Sequence, residues 1–244
     1  MEHLSAEHVA ALAVTAVAAA LLVVGARRRG APARDHATEP AAGRSGGRFA
    51  FVAARVLAVA MLAGFTVEQL TYALRGEWSA EVNLPFQLTD AVTLVAAVAL
   101  WRPRPGLAAE LVYFWALTAS LQAVVTPDLG DTFPDVLYFT YFATHSGAIA
   151  AACLLVLGMG LTPRPRAVPR VYAITAAFAV VAGIATVATG GNYMFLRRKP
   201  VDGSLLDVMG PWPWYIAAGA ALALVLFLAL DALARRVAPA RGPR

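Results

Sequence analysis

The sequence predicts an all-α protein: a polytopic integral membrane bundle of about seven transmembrane helices. Three observations predict it. Of 244 residues, 59% are apolar and only 14% are charged, against roughly 45–50% and 25% in average soluble domains. The apolar residues gather into seven runs, each near the roughly 20 residues a helix needs to cross a bilayer. The cations alternate between connections, crowding every second one as the positive-inside rule requires.

The first run, 8–25, is preceded by Glu2 and Glu7 and followed by Arg27, Arg28 and Arg29. A cleaved signal peptide has the reverse charge order, so this run reads as a retained helix. Residues 26–48 are rich in Gly, Ala and Arg and read as a flexible cytoplasmic linker. The second run, 49–73, ends at LRGEWSAEV, and the third, 83–101, ends at RPRPG. The fourth, 108–125, gives way to TPDLGDTFP, and the fifth, 135–160, to TPRPRAVPR. The sixth, 171–189, is followed by GGNYMFLRRKPVDGSLLDVMGP, and the seventh is 211–234. Proline, glycine and charge close each run. The expected organisation is a first helix with its linker (1–48), loosely attached to a helix bundle (49–236), and a cytoplasmic tail (237–244).

Orientation follows from the cations. Arg27, Arg28, Arg29, Arg34, Arg44, Arg48, Arg102, Arg104, Arg164, Arg166, Arg170, Arg235, Arg236, Arg241 and Arg244 all belong to one set of connections, fifteen of the twenty Lys and Arg. The other set holds Arg75, Arg197, Arg198 and Lys199. The N-terminus is therefore expected outside and the C-terminus in the cytoplasm. Abundant Ala and Arg suggest a GC-rich bacterial genome, hence a multi-pass protein of the bacterial plasma membrane.

Several function classes fall away. The net charge of +5 comes from short arginine-rich loops and is no evidence for nucleic acid. Cys153 is the single cysteine and lies in an apolar run, so no intramolecular disulfide forms; it reads as a small packing residue. His3, His8 and His36 are scattered, no HExxH or CxxC occurs, and no Walker or GxGxxG loop is present. No metal and no cofactor is expected.

Polar groups inside spans are costly and face the bundle interior. Counted by depth, Glu68, Gln69 and Tyr72 lie near the outer end of the second run. Gln87, Thr89 and Asp90 lie near that of the third, and Gln122 near that of the fourth. Tyr138, Tyr141, Thr144 and His145 occupy the outer half of the fifth, and Asn192 and Tyr193 follow the sixth. Five helices thus converge at one level. The plain alternative is interhelical hydrogen bonding that holds the bundle together. At the inner level Arg55 and Glu110 are expected to pair across the second and fourth helices.

Thr89 and His145 stand out as a pair. A threonine hydroxyl is unreactive at neutral pH unless a base lies within hydrogen-bond reach, and His145 is the histidine that lies within a span. Asp90 follows Thr89 and points about 100° away on a helix, so it suits an orienting role. Arg197 and Arg198 break the charge trend of their loop, and arginine pairs bidentately with phosphate, so headgroup capture competes there with a solvated basic loop.

The segments LPFQLTD (84–90), LQAVVTPDL (121–129) with FP at 133–134, YFTYFATH (138–145) and NYMFLRRKP…SLLDVMGPWPWY (192–215) resemble the YwaF-like bacterial integral membrane proteins over roughly residues 50–235. That family is similar to the eukaryotic transmembrane protein 164 acyltransferases. It is more distantly similar to the androgen-induced hydrolases of fatty acid esters of hydroxy fatty acids. The resemblance implies a nucleophile on one helix and a histidine on another. The acyltransferases carry a cysteine in an LPLHLC-like segment; here Thr89 takes the cysteine position and Gln87 the histidine position. Threonine is the nucleophile of the hydrolase relatives, and the histidine carries over to His145.

Three readings follow. One is a lipid-acyl hydrolase or transacylase, with Thr89 as nucleophile and His145 as base. In it Gln87, Gln122 or Asn192 donates to the oxyanion, and Asp90, Glu68, Tyr141, Arg197 and Arg198 support or bind substrate. A second is a small-solute binding or transport protein using Glu68, Asp90 and His145. The third is a membrane scaffold. Membrane lipids are the expected partner.

Overall fold

The computed structural model describes residues 5–28, 42–200 and 204–237. Seven helices follow in order: α1 (Ala6–Arg28), α2 (Ala42–Arg75), α3 (Leu88–Trp101), α4 (Leu107–Val125), α5 (Val136–Gly158), α6 (Ala167–Thr189) and α7 (Trp214–Val237). Six are long and apolar enough to cross a membrane; α3, with 14 residues, is shorter. No strand occurs among the described residues. The chain is a polytopic helical membrane protein.

The third span departs from expectation. A helix of 14 residues is about 21 Å long, short of a hydrocarbon core of about 30 Å. Residues 83–87 do not join it, because Pro85 disfavours helix at the residue before it and the segment is drawn into a cap instead. Within that cap Asn83 Oδ1 accepts from Ser79 N at 2.9 Å. Buried Tyr193, from the segment after α6, donates its hydroxyl to Ala80 O at 2.6 Å and accepts from Leu84 N at 3.1 Å. Burial pushes the Tyr193 phenol above its ordinary pKa. Gly191 lies against the Glu81 carbonyl so closely that a β-carbon has no room.

The centre is the crossing of α2 and α5. Ala54, Ala58 and Met61 of α2 are buried against Gly147, Ala148, Ala151 and Ala152 of α5. Small residues let the two backbones approach closely, which is how helices gain contact where lipid supplies no hydrophobic drive. Helices α3 and α4 pack on this pair. The α6–α7 hairpin joins through α4: Trp115 Nε1 donates to Thr175 Oγ1 at 2.8 Å, Tyr113 donates to Leu230 O at 2.9 Å, and Phe114 meets Phe227 at 5.0 Å. Both α4 and α5 contain a wider π-helical stretch, Ala116–Ser120 and Cys153–Gly158.

Two further expectations are corrected. Helix α1 is docked rather than loose. His8 is buried with Nε2 2.8 Å from Val124 O, Thr15 bonds Ser146 at 2.7 Å, and Arg27 Nε donates to Leu157 O at 2.7 Å. Nor does Arg55 pair with Glu110. Arg55 lies over the Trp101 ring at 5.5 Å. Glu110, whose side chain is 2% exposed, is held by Arg164 at 2.8 Å and Arg170 at 2.6 Å. Arg164 sits in the turn before α6 and Arg170 in the first turn of α6, so both reach the carboxylate from the end of the bundle.

The opposite end is tied by Arg75, which bonds Asp135 at 2.7 Å and Asp131 at 3.5 Å. Asp135 caps α5, accepting from Leu137 N at 2.8 Å. The Leu137 amide and then the Arg75 guanidinium hold its carboxyl below the usual carboxylate range. A depressed pKa contributes stability above the ordinary value of about 3.9, lost as pH falls from there toward the depressed value. Arg75→Gln is therefore expected to flatten the loss of thermal midpoint across that acid window. A midpoint-against-pH series on both proteins checks this, and identical slopes would reject it.

Candidate functional site

Helix α5 carries His145 one turn below Tyr141. His145 Nδ1 lies 2.8 Å from the Tyr141 carbonyl oxygen and 3.1 Å from Thr144 Oγ1. A carbonyl oxygen only accepts, so Nδ1 carries the proton and, in the neutral ring, Nε2 keeps a free lone pair. Nε2 has no hydrogen-bond partner among the described residues. The imidazole stacks on the Tyr141 ring, centroids 4.0 Å apart and planes 18° from parallel. Tyr141 is itself fixed by donating to Ala123 O of α4 at 2.7 Å. Ring orientation and tautomer are thus set by backbone carbonyls on two helices.

Helix α3 brings the second set. Its buried face runs through Val92, Thr93, Ala96, Ala99 and Leu100. Thr89 is four residues before Thr93 and seven before Ala96, so it falls on that same inward line. Its hydroxyl makes no hydrogen bond among the described residues, while its carbonyl accepts from Thr93 Oγ1 at 3.0 Å. Helices α3 and α5 are in contact, but no hydrogen bond joins Thr89 to His145 among the described residues. Asp90 lies at the edge of the buried face of α3. Glu68 follows buried Met61 and Gly64 along α2 by helical spacing. Glu68, Asp90 and Tyr141 thus belong to three mutually packed helices, α2, α3 and α5.

Gln87 caps the start of α3 and reaches outward. Its Oε1 accepts from Met194 N at 2.8 Å. An amide N–H demands an oxygen, so Nε2 is the end left to donate elsewhere. The loop it holds is tightly folded. Asn192 Oδ1 accepts from Arg197 N at 3.1 Å and Arg198 N at 3.0 Å, and Nδ2 donates to Arg198 O at 2.9 Å. Met194 and Phe195 take positive φ, 52° and 55°. Asn192 thus serves as loop organiser, and Arg197 and Arg198 project from it, both exposed.

The structure stacks Tyr141 on His145, puts Glu68 and Asp90 on the adjoining helices α2 and α3, sets Thr89 on the inward line of α3, and ties Gln87 to the loop of Asn192, Arg197 and Arg198. It does not bring Gln122 to them: that residue is exposed, with Nε2 donating to Thr126 Oγ1 at 2.5 Å along its own helix. Sequence reasoning passed over Ser120, whose fully buried hydroxyl has no partner among the described residues. A lone serine in an apolar run was the available signal. Among the described residues, no three His, Cys, Asp or Glu side chains converge as metal ligands.

Comparison with known proteins adds one finding. The sequence model of the TMEM164 family matches residues 3–231. No curated protein and no solved structure gives a significant match.

Proposed function

The chain belongs to the TMEM164 family, and from that premise we propose that it is an intramembrane lipid-acyl hydrolase or transacylase. Thr89 Oγ1 attacks the ester carbonyl carbon while its proton passes to His145 Nε2. The tetrahedral intermediate collapses as the ester C–O bond breaks, and the leaving alcohol takes the proton from His145. Water or a second hydroxyl then receives the acyl group from Thr89 by the same steps in reverse. Gln87 Nε2 serves as the oxyanion donor in this reading, since its oxygen is engaged by Met194 N.

The observation that carries this reading is the 2.8 Å bond from His145 Nδ1 to the Tyr141 carbonyl, which makes Nε2 the basic nitrogen. The free hydroxyl of Thr89 on the inward line of a helix packed against α5 supports it. So does the likeness of LPFQLT to the cysteine-bearing segment of the acyltransferases, with threonine in the nucleophile position as in the androgen-induced hydrolases. The cation count supports an N-terminus outside and a site toward the outer leaflet, and the Ala- and Arg-rich composition supports a bacterial plasma membrane.

A second reading rests on Glu68 and Asp90 standing on the packed helices α2 and α3: two carboxylates in membrane-embedded helices suit a small-solute or proton site. A fluorophosphonate probe separates the two. Labelling of the purified protein is expected to map to Thr89 and to disappear in Thr89→Ala at matched folded yield. Absence of labelling, under conditions that label a related hydrolase, favours the solute site, and a solute-induced thermal shift lost in Asp90→Asn would then establish it.

A further inference from the structure

The loop of residues 190–199 and the exposed face of α6 meet in a way that the acyl chemistry does not use. Val180, Gly183, Ile184, Val187 and Ala188 of α6 line an open apolar groove. Leu196 packs over Gly183 at its upper part. Directly above, Arg197 donates to Gly190 O at 3.1 Å, which pins its guanidinium over the C-terminal end of α6. Arg198 follows, exposed, its guanidinium without a partner among the described residues. Lys199 is occupied elsewhere, near Asp207 O at 3.4 Å and over the Tyr215 ring at 5.6 Å. The two arginines therefore stand at the membrane end of an apolar track, on a loop held rigid by Asn192 and Gln87.

We propose that Arg197 and Arg198 bind the phosphate of a membrane glycerophospholipid whose acyl chain lies in the α6 groove, a site separate from Thr89 and His145. The charge is complementary, since guanidinium forks match phosphate oxygens. The depth fits as well, because the cations end a span and the groove continues below them into the hydrocarbon. An annular lipid held only by apolar contact would be indifferent to headgroup; this one is not. Glu81, whose carboxylate borders Gly190, is the acidic side chain seen beside the clamp, and it opposes binding.

Native mass spectrometry of the full chain in detergent tests the site, with phosphatidylglycerol and diacylglycerol of the same acyl chains as probes. Wild type is expected to retain one phosphatidylglycerol and little diacylglycerol. Arg198→Gln, which removes no internal contact, is expected to weaken phosphatidylglycerol binding roughly tenfold. Ile184→Trp, at a position 65% exposed, is expected to weaken it by obstructing the groove without unfolding the bundle, and Glu81→Gln to leave it equal or tighter. Thr89→Ala is expected to bind as wild type does. Equal retention of the two lipids, unchanged binding in Arg198→Gln or Ile184→Trp, or loss in Thr89→Ala overturns the proposal. So does a thermal shift with inorganic phosphate alone as large as with phosphatidylglycerol. Because no readout requires turnover, failure of the acyl reaction leaves this test intact.

Discussion

Removing both Arg164 and Arg170 is expected to lower stability by about 3–5 kcal/mol, a fall in thermal midpoint of roughly 10 °C, and to cost more than removing the carboxylate they hold. Glu110 is 2% exposed, whereas Arg164 and Arg170 are 42% and 34% exposed. Three side-chain bonds and the Arg164 amide converge on its two oxygens, at 2.6–3.2 Å. Without the arginines, a buried carboxylate keeps only the amide at 3.1 Å. Glu110→Gln instead leaves two half-exposed guanidiniums that water can serve, and the amide oxygen still accepts. That variant is expected to cost about 1–2 kcal/mol. Adding Glu110→Gln to the double arginine variant is expected to recover most of the loss. Unfolding in mixed micelles checks the order of the three; a single Glu110→Gln as costly as the arginine pair would show that the charge is not what the clamp satisfies.

That clamp also shows what a sequence conceals. Hydropathy and loop chemistry expose depth, because depth is set by chain length and the bilayer. Azimuth is set by packing, which no single run of residues records. Arg55 and Glu110 share a level and opposite charge, yet Arg55 turns to Trp101 while Glu110 takes its partners from the turn before α6 and the first turn of α6. Gln122 has the right depth and the wrong face. The six long spans were legible because each is bounded by proline, glycine or charge. The third was overextended because residues 83–87 are apolar enough to read as membrane, and Tyr193, more than a hundred residues away, shows that they belong to a cap.

The candidate site divides in the same manner. The grouping of Glu68, Asp90, Tyr141 and His145 at one level comes from counting along alternating helices. That Gln87 spends its oxygen on Met194 depended on a fold between residues over a hundred apart, whereas Asn192 organises its loop through bonds only five and six residues along the chain. The π-helical stretch that ends at Ser120 had no sequence sign at all. Such stretches rotate the residues beyond them relative to a regular helix, so they shift the azimuth that counting assumes.

The tautomer of His145 leads to the sharpest functional expectation. Because Nδ1 is held by a main-chain carbonyl, no side-chain substitution nearby removes the lock; only loss of the ring removes the base. His145→Gln is expected to cut turnover of a fluorogenic acyl ester by about 10²–10⁴-fold at matched folded yield. Thr144→Val is expected to stay within a few-fold of wild type, since Thr144 also bonds the Thr140 and Tyr141 carbonyls and only shares Nδ1 at 3.1 Å. Tyr141→Phe loses the bond to Ala123 O but keeps the stacking surface and the carbonyl, so its effect is expected to be mild. Tyr141→Ala removes the stacking surface and leaves the ring held only through Nδ1, and its loss is expected to fall between those of Tyr141→Phe and His145→Gln. A loss in Thr144→Val equal to that in His145→Gln would mean that the hydroxyl, not the carbonyl, sets the tautomer. Turnover that survives His145→Gln would remove the base from the mechanism and leave Thr89 without activation, and the Glu68–Asp90 region would then be the place to look for function.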